Sequence, residues 1–379
     1  MNRAGSTIMN LTGDAAYPSF RPAALPPRPE LVIDDEMLRL LVEANRGLAK
    51  LDTLANSIPN MDLFVSMYVR KEALISSQIE GTQCTLDDVL DPDQDKNMNL
   101  DVAEIVNYVK ATQFALDRLS SLPLCNRLLR EVHAILMQGV RGQEKNPGEF
   151  RHSQNWIGAE NCSLKTARFI PPNPADMEEA MSALEKFINE SKDYDALIRA
   201  ALIHYQFETV HPFLDGNGRI GRLLILLYLM TQRLLTKPVL YVSYFLKKNQ
   251  VEYYDRIHEV RRQGNYEQWI RFFLEAVEAA AMDAVDLIAM LTELHDRNLS
   301  LLSTTPARTA RLRKFFDYVE QYPITDIRHV STALQLSYNT AAKGIQGLAE
   351  LGILKERTNA ARNRVFAYEE YLNILRRDT

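Results

Sequence analysis

The hydrophobic residues of this chain recur mostly at the three- and four-residue spacing of amphipathic helices. In the first such stretch, which begins at Asp35, they are Leu38, Leu41, Ala44 and Leu48. In the second, which follows an N-cap at Asn60, they are Phe64, Met67, Ala73 and Ile79. The pattern therefore predicts two long helices, the second ending at Glu80 and Gly81 because glycine suits the C′ position.

The same periodicity continues through most of the chain, so we expect a mainly α fold. Residues 223–230 are apolar nearly all round, which indicates a helix buried on every side. The stretch before residue 211 is also helical in its spacing, through Leu197, Ala201, Leu202 and Tyr205. The other predicted helices are Val102–Leu119, Asn126–Gln138, Pro174–Ile188, Lys247–Arg262 and Tyr266–Ser300.

Prolines and polar residues separate these helices. Five prolines within residues 1–34 favour an irregular, extended arm over the surface, although a disordered tail is an equal alternative for its first residues. Asp87–Asp101 and Arg141–Asn155 are expected to be loops, and Pro238–Tyr244 extended. Two short β-like runs, Trp156–Gly158 and Ala167–Pro172, predict a hairpin at an edge, because two consecutive prolines cannot lie inside a sheet.

The segment 303–379 has the order of a winged-helix domain, with three helices followed by a hairpin. The helices are marked by apolar stripes at Phe315, Tyr318 and Val319, at Ile327, Val330 and Leu334, and at Ala341, Ile345 and Leu348; the strands are Ile353–Leu354 and Val365–Tyr368. Outward residues would be Ser337, Asn339, Thr340 and Lys343 on the third helix and Arg357, Arg362 and Arg364 on the wing. Since a DNA-binding helix usually carries more positive charge, DNA binding and protein contact are equal alternatives.

Composition narrows the class of protein. The chain has 379 residues, 46% of them hydrophobic and 25% charged, which is ordinary for a globular protein with two or three domains. A net charge of −5 argues against a nucleic-acid coat protein. Cys84, Cys125 and Cys162 form no zinc or disulfide pattern. With no signal pattern and no apolar run long enough for a bilayer, we expect a cytoplasmic protein.

One stretch concentrates the chemistry: His211-Pro212-Phe213-Leu214-Asp215-Gly216-Asn217-Gly218-Arg219-Ile220-Gly221-Arg222. It joins two predicted helices, so it is a loop that leads into a helix N-terminus. The first N–H groups of a helix bind anions, and Gly216 and Gly218 let the backbone approach closely while Asn217 tolerates left-handed geometry. These features predict a phosphate site.

The side chains of this stretch fit phosphate chemistry. Arg219 and Arg222 lie three residues apart, so both are expected on one face of the first turn, where they would fork onto phosphate oxygens. Asp215 supplies an oxygen ligand for Mg²⁺ beside those phosphates. His211 titrates near neutrality when unperturbed and is the natural base for a hydroxyl group.

Glu80 is unusual for its place in the chain. A carboxylate in the last turn of a helix opposes the macrodipole, which indicates a cationic partner from elsewhere in the fold. Ser76 lies four residues earlier on the same face.

The stretch from His211 to Arg222 resembles the signature of the Fic family, His-x-Phe-x-Asp/Glu-Gly-Asn-Gly-Arg-x-x-Arg, and meets every fixed position. Ser76-Ser77-Gln78-Ile79-Glu80-Gly81 is similar to the family's inhibitory motif. The resemblance implies a Fic-type helical bundle with a small β-hairpin flap, followed by the winged-helix domain. It places an inhibitory helix in residues 35–105 and the Fic core with a helical extension in residues 106–302.

The resemblance also implies roles for single residues. ATP, with Mg²⁺ on Asp215, would bind to Glu80, His211, Gly216, Asn217, Gly218, Arg219, Ile220, Gly221, Arg222 and Tyr254. The flap would be Ala167, Arg168, Phe169 and Ile170, with Phe169 or Ile170 clamping the target side chain. Ser76, Glu80 and Gly81 would form the inhibitory motif, in which Glu80 pairs with Arg222 and keeps it from the γ-phosphate.

These roles favour a protein adenylyltransferase that moves AMP from ATP to Tyr, Thr or Ser hydroxyls of proteins, including its own. Removal of AMP from a modified protein is an alternative, as is an ATP-sensing transcription regulator that acts through the winged helix. The sequence leaves open which protein is the target, whether another nucleotide is the donor and whether the chain forms a homodimer. The residues that read the nucleotide base lie outside the motif.

Overall fold

A computed structural model describes residues 2–57, 61–91, 99–158, 162–302, 306–358 and 364–377, with residue 62 and residues 306–311 described by their backbone alone. The fold is mainly helical with small antiparallel sheets, as predicted. No helix in these ranges combines the length and apolar character that crossing a membrane requires. The helices are α1 (Asp35–Ser57), α2 (Met61–Ile79), α3 (Leu86–Leu90), α4 (Leu100–Arg118), α5 (Asn126–Leu136), α6 (Pro174–Glu190), α7 (Ala196–Val210), α8 (Asn217–Thr231), α9 (Ser243–Lys248), α10 (Gln250–Gln263), α11 (Tyr266–Leu302), α12 (Pro306–Gln321), α13 (Ile327–Ala333), α14 (Tyr338–Glu350) and α15 (Glu369–Leu375). The strands are β1 (Gly5–Asn10), β2 (Tyr17–Pro22), β3 (Ile324–Asp326), β4 (Lys355–Glu356) and β5 (Val365–Ala367).

The N-terminal arm is more ordered than the sequence suggested. β1 and β2 pair antiparallel from Gly5 opposite Pro22 to Asn10 opposite Tyr17, so the expectation of an irregular arm was wrong. Proline is compatible with a two-stranded sheet, because a strand with one free edge does not need every N–H group. The segment after β2 is fixed to the core, where the Gln206 side chain donates to the Ala23 carbonyl at 3.0 Å.

The first helices occur where expected, with two corrections. The buried stripe of α1 runs through Met37, Leu40, Ala44 and Leu48 and packs on α11, whereas Leu38 is 51% exposed. The predicted stripe therefore began one residue late. Within the predicted Asp87–Asp101 loop, the chain forms α3, which is started by a capping box on Thr85. The proposed N-cap Asn60 lies outside the described residues.

α7 and α8 form the centre of the core. Nearly all their side chains are buried, as the apolar run before and after residue 211 predicted. They approach closely at Gly221, where a Cβ atom would lie 2.2 Å from a Glu208 carboxylate oxygen. α11 packs on α7, and the indole of Trp269 donates to the Ala201 carbonyl at 2.9 Å. This packing fixes both ends of the loop between α7 and α8.

The helix predicted from Lys247 to Arg262 is two helices. α9 ends and α10 begins around Asn249, whose φ of −112° and ψ of 35° are not helical. Asparagine competes for local backbone hydrogen bonds, which favours such a break. The stretch expected to be extended from Pro238 to Tyr244 is shorter, since α9 already begins at Ser243.

The C-terminal segment contains the three predicted helices and additional elements. Phe315, Ile345 and Leu348 are fully buried, in agreement with the stripes. β3, β5 and β4 form a sheet in that order, and β3 and α15 were not predicted. The strand expected at Ile353–Leu354 instead lies at Lys355–Glu356, and Ile353 and Leu354 before it are buried in the core.

The wing arginines are engaged within the protein. Arg357 pairs with Asp87 at 2.9 Å and with Glu369 at 2.7 Å, and Arg364 pairs with Glu356 at 2.6 Å. Arg362 lies outside the described residues. Arg357 is exposed, as expected of an outward residue on the wing, and Arg364 is half-buried, but both guanidinium groups are held in ion pairs.

The contact between α12 and α14 yields a test of the C-terminal packing. A Cβ atom on Gly344 would lie 2.3 Å from two ring carbons of the buried Phe315. Alanine in a helix interior normally gains about 0.5–1 kcal/mol over glycine, whereas overpacking typically costs about 1–3 kcal/mol. We expect Gly344→Ala to lower the free energy of unfolding by about 1–2 kcal/mol, measured by urea denaturation. Lys343→Ala, at the exposed neighbouring position, is the control; an unchanged midpoint for Gly344→Ala would contradict this packing.

Candidate active site

The loop after α7 begins with a strained residue. His211 has φ 50° and ψ 62°, a left-handed conformation that side-chain-bearing residues rarely adopt. Its carbonyl oxygen accepts hydrogen bonds from Arg151 Nε at 2.9 Å and from Asn155 Nδ2 at 3.2 Å. The buried Arg151 guanidinium also donates to the Val210 carbonyl at 3.3 Å. Arg151 therefore fixes the start of this loop through hydrogen bonds to its backbone.

The turn from Phe213 to Asn217 is closed by one side chain. Asn217 Oδ1 accepts from the Phe213 N–H at 2.9 Å, and Asn217 Nδ2 donates to the Phe213 carbonyl at 2.9 Å. Gly216, at φ 73°, supplies the left-handed residue that starts α8. The expectation that Asn217 adopts this geometry was wrong, since Asn217 is helical and acts through its amide.

His133 of α5 packs against this turn, and the sequence analysis did not predict its role. Its ring stacks on Phe213, with centroids 3.8 Å apart and planes 4° apart. Nδ1 accepts from the Gly148 N–H at 2.9 Å, so Nε2 carries the proton and donates to the Asp215 carbonyl at 3.0 Å. Burial lowers the pKa of His133 to about 4, which keeps the ring neutral. The one available signal in the sequence was that His133 falls on the buried, apolar face of α5.

A cavity of about 820 Å³ opens beside this loop. α7, α8 and α10, the residue after α2, and the segment around residues 156–169 all contribute to its walls. This volume lies within the usual range for small-molecule sites. The lining residues are Glu80, Trp156, Ile157, Gly158, Thr166, Arg168, Phe169, Glu208, His211, Gly218, Arg222, Tyr253, Tyr254, Ile257, His258 and Arg261.

His211 lines the cavity with its imidazole. Its Nδ1 atom is buried beside the Glu208 backbone. Burial, together with the positive charges of Arg261 and Arg151, lowers the pKa of His211 to about 3. The imidazole is therefore neutral at physiological pH, as a general base must be.

Arg222 is fully buried at the cavity wall and is held by the end of α2. Its Nε atom donates to Ser76 Oγ at 2.8 Å, and one terminal nitrogen donates to the Ser76 carbonyl at 2.8 Å and to Glu80 Oε1 at 2.7 Å. Burial opposes the charge, but Glu80 outweighs it and raises the pKa of Arg222 above its ordinary value. The prediction of a cationic partner for Glu80 is confirmed.

Gly218 makes this contact sterically possible. A Cβ atom there would lie 2.1 Å from Glu80 Oε1, so Glu80 reaches over the first turn of α8 only because residue 218 has no side chain. Gly81, which follows with φ 95°, lets the chain turn away after Glu80.

Arg219 does not join Arg222 in a fork. Its guanidinium is buried away from the cavity, 3.8 Å from both Glu104 and Asp215 and 3.5 Å from Met137 Sδ, so the expected two-arginine arrangement was wrong. Ile220 is buried in the core and Gly221 serves the close contact of α8 with α7.

Asp215 lies beside the cavity and does not line it. Its carboxylate accepts from Lys145 Nζ at 2.8 Å and from the Gly216 N–H at 2.7 Å. Burial raises its pKa, but these donors outweigh burial and hold the pKa of Asp215 below its ordinary value. No group of three or more His, Cys, Asp or Glu side chains suited to a metal ion occurs in the described part of the chain.

The expected flap is a minimal hairpin. Ile157 and Phe169 exchange backbone hydrogen bonds of 2.8 and 3.0 Å, the one bridge that joins its two sides in the described residues. The Phe169 ring lies under the Arg261 guanidinium at 3.8 Å, and Arg168 pairs with Asp255 at 2.6 Å. The Ile170 carbonyl accepts from the Phe20 N–H at 2.9 Å, so the N-terminal hairpin extends the flap. Ala167, beside Gly158, is not among the cavity residues.

Tyr253 and Tyr254 are consecutive residues of α10. Both line the cavity, and their ring centroids are 5.0 Å apart. Tyr253 is buried and its hydroxyl is hydrogen-bonded to His204 Nε2 at 2.8 Å, whereas Tyr254 is 38% exposed. Tyr254 is therefore the one whose face is open to the cavity and solvent.

Glu208 is a cavity residue that sequence reasoning missed. Its side chain is buried, its Oε1 atom has no partner within the described ranges, and burial raises its pKa to about 7. In the sequence it resembles any residue of the predicted helix before His211, and only the close approach at Gly221 reveals its position.

Comparison with known proteins agrees with this geometry. Residues 38–117 match the family model "Fic/DOC family N-terminal", and residues 123–229 match the model "Fic/DOC family". The chain is 32% identical over 152 residues to a protein adenylyltransferase Fic of Culex quinquefasciatus, covering 40% of this chain and 27% of that protein. It is 29% identical over 183 residues to the protein of the same name from Drosophila melanogaster, covering 45% and 34%. The chain thus spans about a third or less of these relatives.

Solved structures share the fold. A Fic family protein from Desulfovibrio desulfuricans G20 matches with a TM-score of 0.57 at 19% identity, covering 89% of this chain and 97% of that one. A Fic domain containing signaling protein from Bacteroides thetaiotaomicron matches with a TM-score of 0.51 at 21% identity, covering 65% and 95%.

The lowered pKa of His211 can be tested directly. An ordinary histidine with a pKa of about 6.5 is almost fully protonated at pH 5. We expect His211, with a pKa of about 3, to remain neutral at pH 5. The measurement is ¹⁵N NMR of histidine-labelled protein titrated from pH 7.5 to 5, with His211 assigned from the His211→Gln variant. His295, whose pKa is raised by its hydrogen bond to Glu320, is the internal control. A midpoint near 6.5 for His211 would contradict the buried, cation-flanked environment.

Proposed function

We propose that this chain, which belongs to the Fic/DOC family over residues 38–229, is a protein adenylyltransferase that transfers AMP from ATP to hydroxyl side chains of proteins. The observation that supports this most is the meeting in one cavity of a neutral His211, the N-terminal turn of α8 and the buried Arg222. A base, an anion-binding helix end and a guanidinium are the parts that phosphoryl-group transfer requires.

ATP would lie with its phosphates at the start of α8. The backbone N–H groups of the first helical turn lack helical partners, and Gly218, which lines the cavity, would leave room for phosphate oxygens once Glu80 has moved away. Arg222 would hold the terminal phosphate once Glu80 has released it. Tyr254, which is partly exposed at the cavity, offers an aromatic face for adenine.

The transfer would follow an in-line path. His211 accepts the proton of the target hydroxyl as the hydroxyl oxygen bonds to the α-phosphorus of ATP, and the bond from that phosphorus to the bridging oxygen breaks, so that pyrophosphate leaves with both electrons. Arg151 and Asn155 bind the carbonyl oxygen of His211. These hydrogen bonds would keep the His211 backbone in its left-handed conformation during the reaction and so keep the imidazole in place.

Mg²⁺ fits Asp215, which is ionised and supplies a single carboxylate, as sites completed by substrate phosphates usually do. The ion would neutralise phosphate charge. Asp215 accepts a hydrogen bond from Lys145, so a metal ion held by this carboxylate would compete with that ion pair.

Glu80 is proposed to inhibit this reaction. A buried guanidinium requires an anionic partner, and Glu80 and a terminal phosphate would compete for the same Arg222. While Glu80 holds Arg222, the nucleotide would bind without its phosphates in the productive position.

The target would dock on the flap. Backbone pairing with the edge around Arg168 would be tolerant of the target sequence, and Phe169 would bound the entering side chain. Since the Ile170 carbonyl is already occupied by Phe20, the available edge is shorter than the sequence suggested.

The C-terminal segment is proposed to be a winged-helix domain that contacts protein. Its order of helices and its sheet β3-β5-β4 support the assignment. The internal ion pairs of Arg357 and Arg364 reduce the positive charge available for DNA phosphates.

Self-modification by the full chain tests the proposal. With ATP radiolabelled at the α-phosphate, Glu80→Gly should raise incorporation at least tenfold, because Arg222 becomes available to the nucleotide. In the Glu80→Gly background, His211→Ala should reduce incorporation at least a hundredfold, within the range of about 10²–10⁴ for loss of a general base.

Glu252→Gly, which changes an exposed glutamate of α10, is the matched control and should behave as wild type. Full incorporation in the His211 variant would remove this residue from the base role. Unchanged incorporation in Glu80→Gly would reject the inhibitory role alone. Release of AMP from a modified protein without ATP would identify the reverse reaction instead.

A further inference from the structure

A second cavity, of about 340 Å³, lies far along α2 from Glu80, where α2, α11, α12 and α15 meet. Its walls are mostly apolar and include Phe64 from α2, Ile288 and Leu291 from α11, and Tyr371 from α15, each of them buried. The volume lies at the lower end of the range for small-molecule sites. None of these residues belongs to the proposed active site.

The cavity contains an incompletely satisfied carboxylate. Glu320 on α12 is buried, with a side chain 4% exposed. Its Oε1 atom is hydrogen-bonded to His295 Nδ1 at 2.7 Å, and its Oε2 atom has no hydrogen-bond partner in the described ranges. A buried polar atom left without a partner costs about 1–3 kcal/mol. Oε2 is closed to water in this conformation, so a donor on a molecule in the cavity would satisfy it once the Glu320 side chain turns toward the cavity.

The charges around Glu320 define the kind of donor. The hydrogen bond to Glu320 raises the pKa of His295, so the imidazole beside the carboxylate takes up a proton more readily than an ordinary histidine does. At the cavity wall Asp296 and Arg313 have opposite charges, and Arg313 is also paired with Asp317 at 2.7 Å. Asp296, Asp317 and Glu320 outnumber Arg313 here, which disfavours an anionic ligand, and the apolar walls disfavour a strongly hydrated cation.

We propose that this cavity is a binding site for a small, neutral, apolar molecule that carries an N–H or O–H group, which donates to Glu320 Oε2. The apolar walls take up the body of the ligand, and the carboxylate orients it. The proposal is independent of the adenylyltransferase reaction, since it rests on four helices outside the nucleotide cavity.

Indole and benzofuran form a matched pair of probes, because they have nearly the same shape and differ by an N–H donor in place of an ether oxygen. We expect indole to bind the full chain with a Kd below 1 mM and at least tenfold more tightly than benzofuran. A polar group that needs a partner discriminates strongly against an analogue without one. Saturation-transfer NMR titrations measure both affinities, and the thermal midpoint should rise with indole.

Glu320→Gln replaces one carboxylate oxygen by an NH₂ group and removes the negative charge. It should reduce the preference for indole over benzofuran at least fivefold. Glu293→Gln, at an exposed position on α11, is the control and should preserve it. Equal binding of the two probes by the wild-type chain, or no binding of indole below 1 mM, would overturn the proposal even if Glu320→Gln failed to fold. An unchanged preference in a folded Glu320→Gln protein would also overturn it.

Discussion

The buried guanidinium of Arg222 is the constraint around which the active-site region is arranged. A cation removed from water needs a nearby anion and several hydrogen-bond acceptors, because unpaired burial of a charge costs several kcal/mol. The end of α2 supplies both through Ser76 and Glu80. Any anion that replaces Glu80 must satisfy the same guanidinium. Under the proposed function, a phosphate would take the place of the Glu80 carboxylate beside Arg222, so one anion would replace another.

This constraint explains features of the fold that otherwise look unrelated. Glu80 reaches Arg222 only across Gly218, and α8 approaches α7 only at Gly221. α2 must end at the start of α8, so its C-terminal turn carries a carboxylate that is unfavourable for an isolated helix. The small energetic conflict in α2 is offset by the pairing with a cation from another helix.

The sequence predicted the parts that depend on local chemistry. The helices follow from periodicity, and the cationic partner of Glu80 follows from its place at a helix end. The supporting contacts could not be predicted, because they join distant residues. His133 lies 82 residues from the carbonyl it holds, and Lys145 is 70 residues from Asp215. The N-terminal hairpin was not predicted because the prolines of this segment are unusual in strands. The position of Arg219 was wrong because helical spacing gives the direction of a long side chain but not the residues that it contacts.

The electrostatics of the cavity follow from how burial acts on different groups. Burial lowers the pKa of His211 to about 3 and raises that of Glu208 to about 7, although both residues lie near the same end of α7. Both groups therefore tend toward their neutral forms, while Arg222 keeps its charge through Glu80. A triphosphate that entered would meet a cation and open backbone N–H groups, and its negative charge would raise the proton affinity of His211 as the hydroxyl proton arrives. Under the proposed function, the imidazole would therefore become a stronger base only when the triphosphate is present.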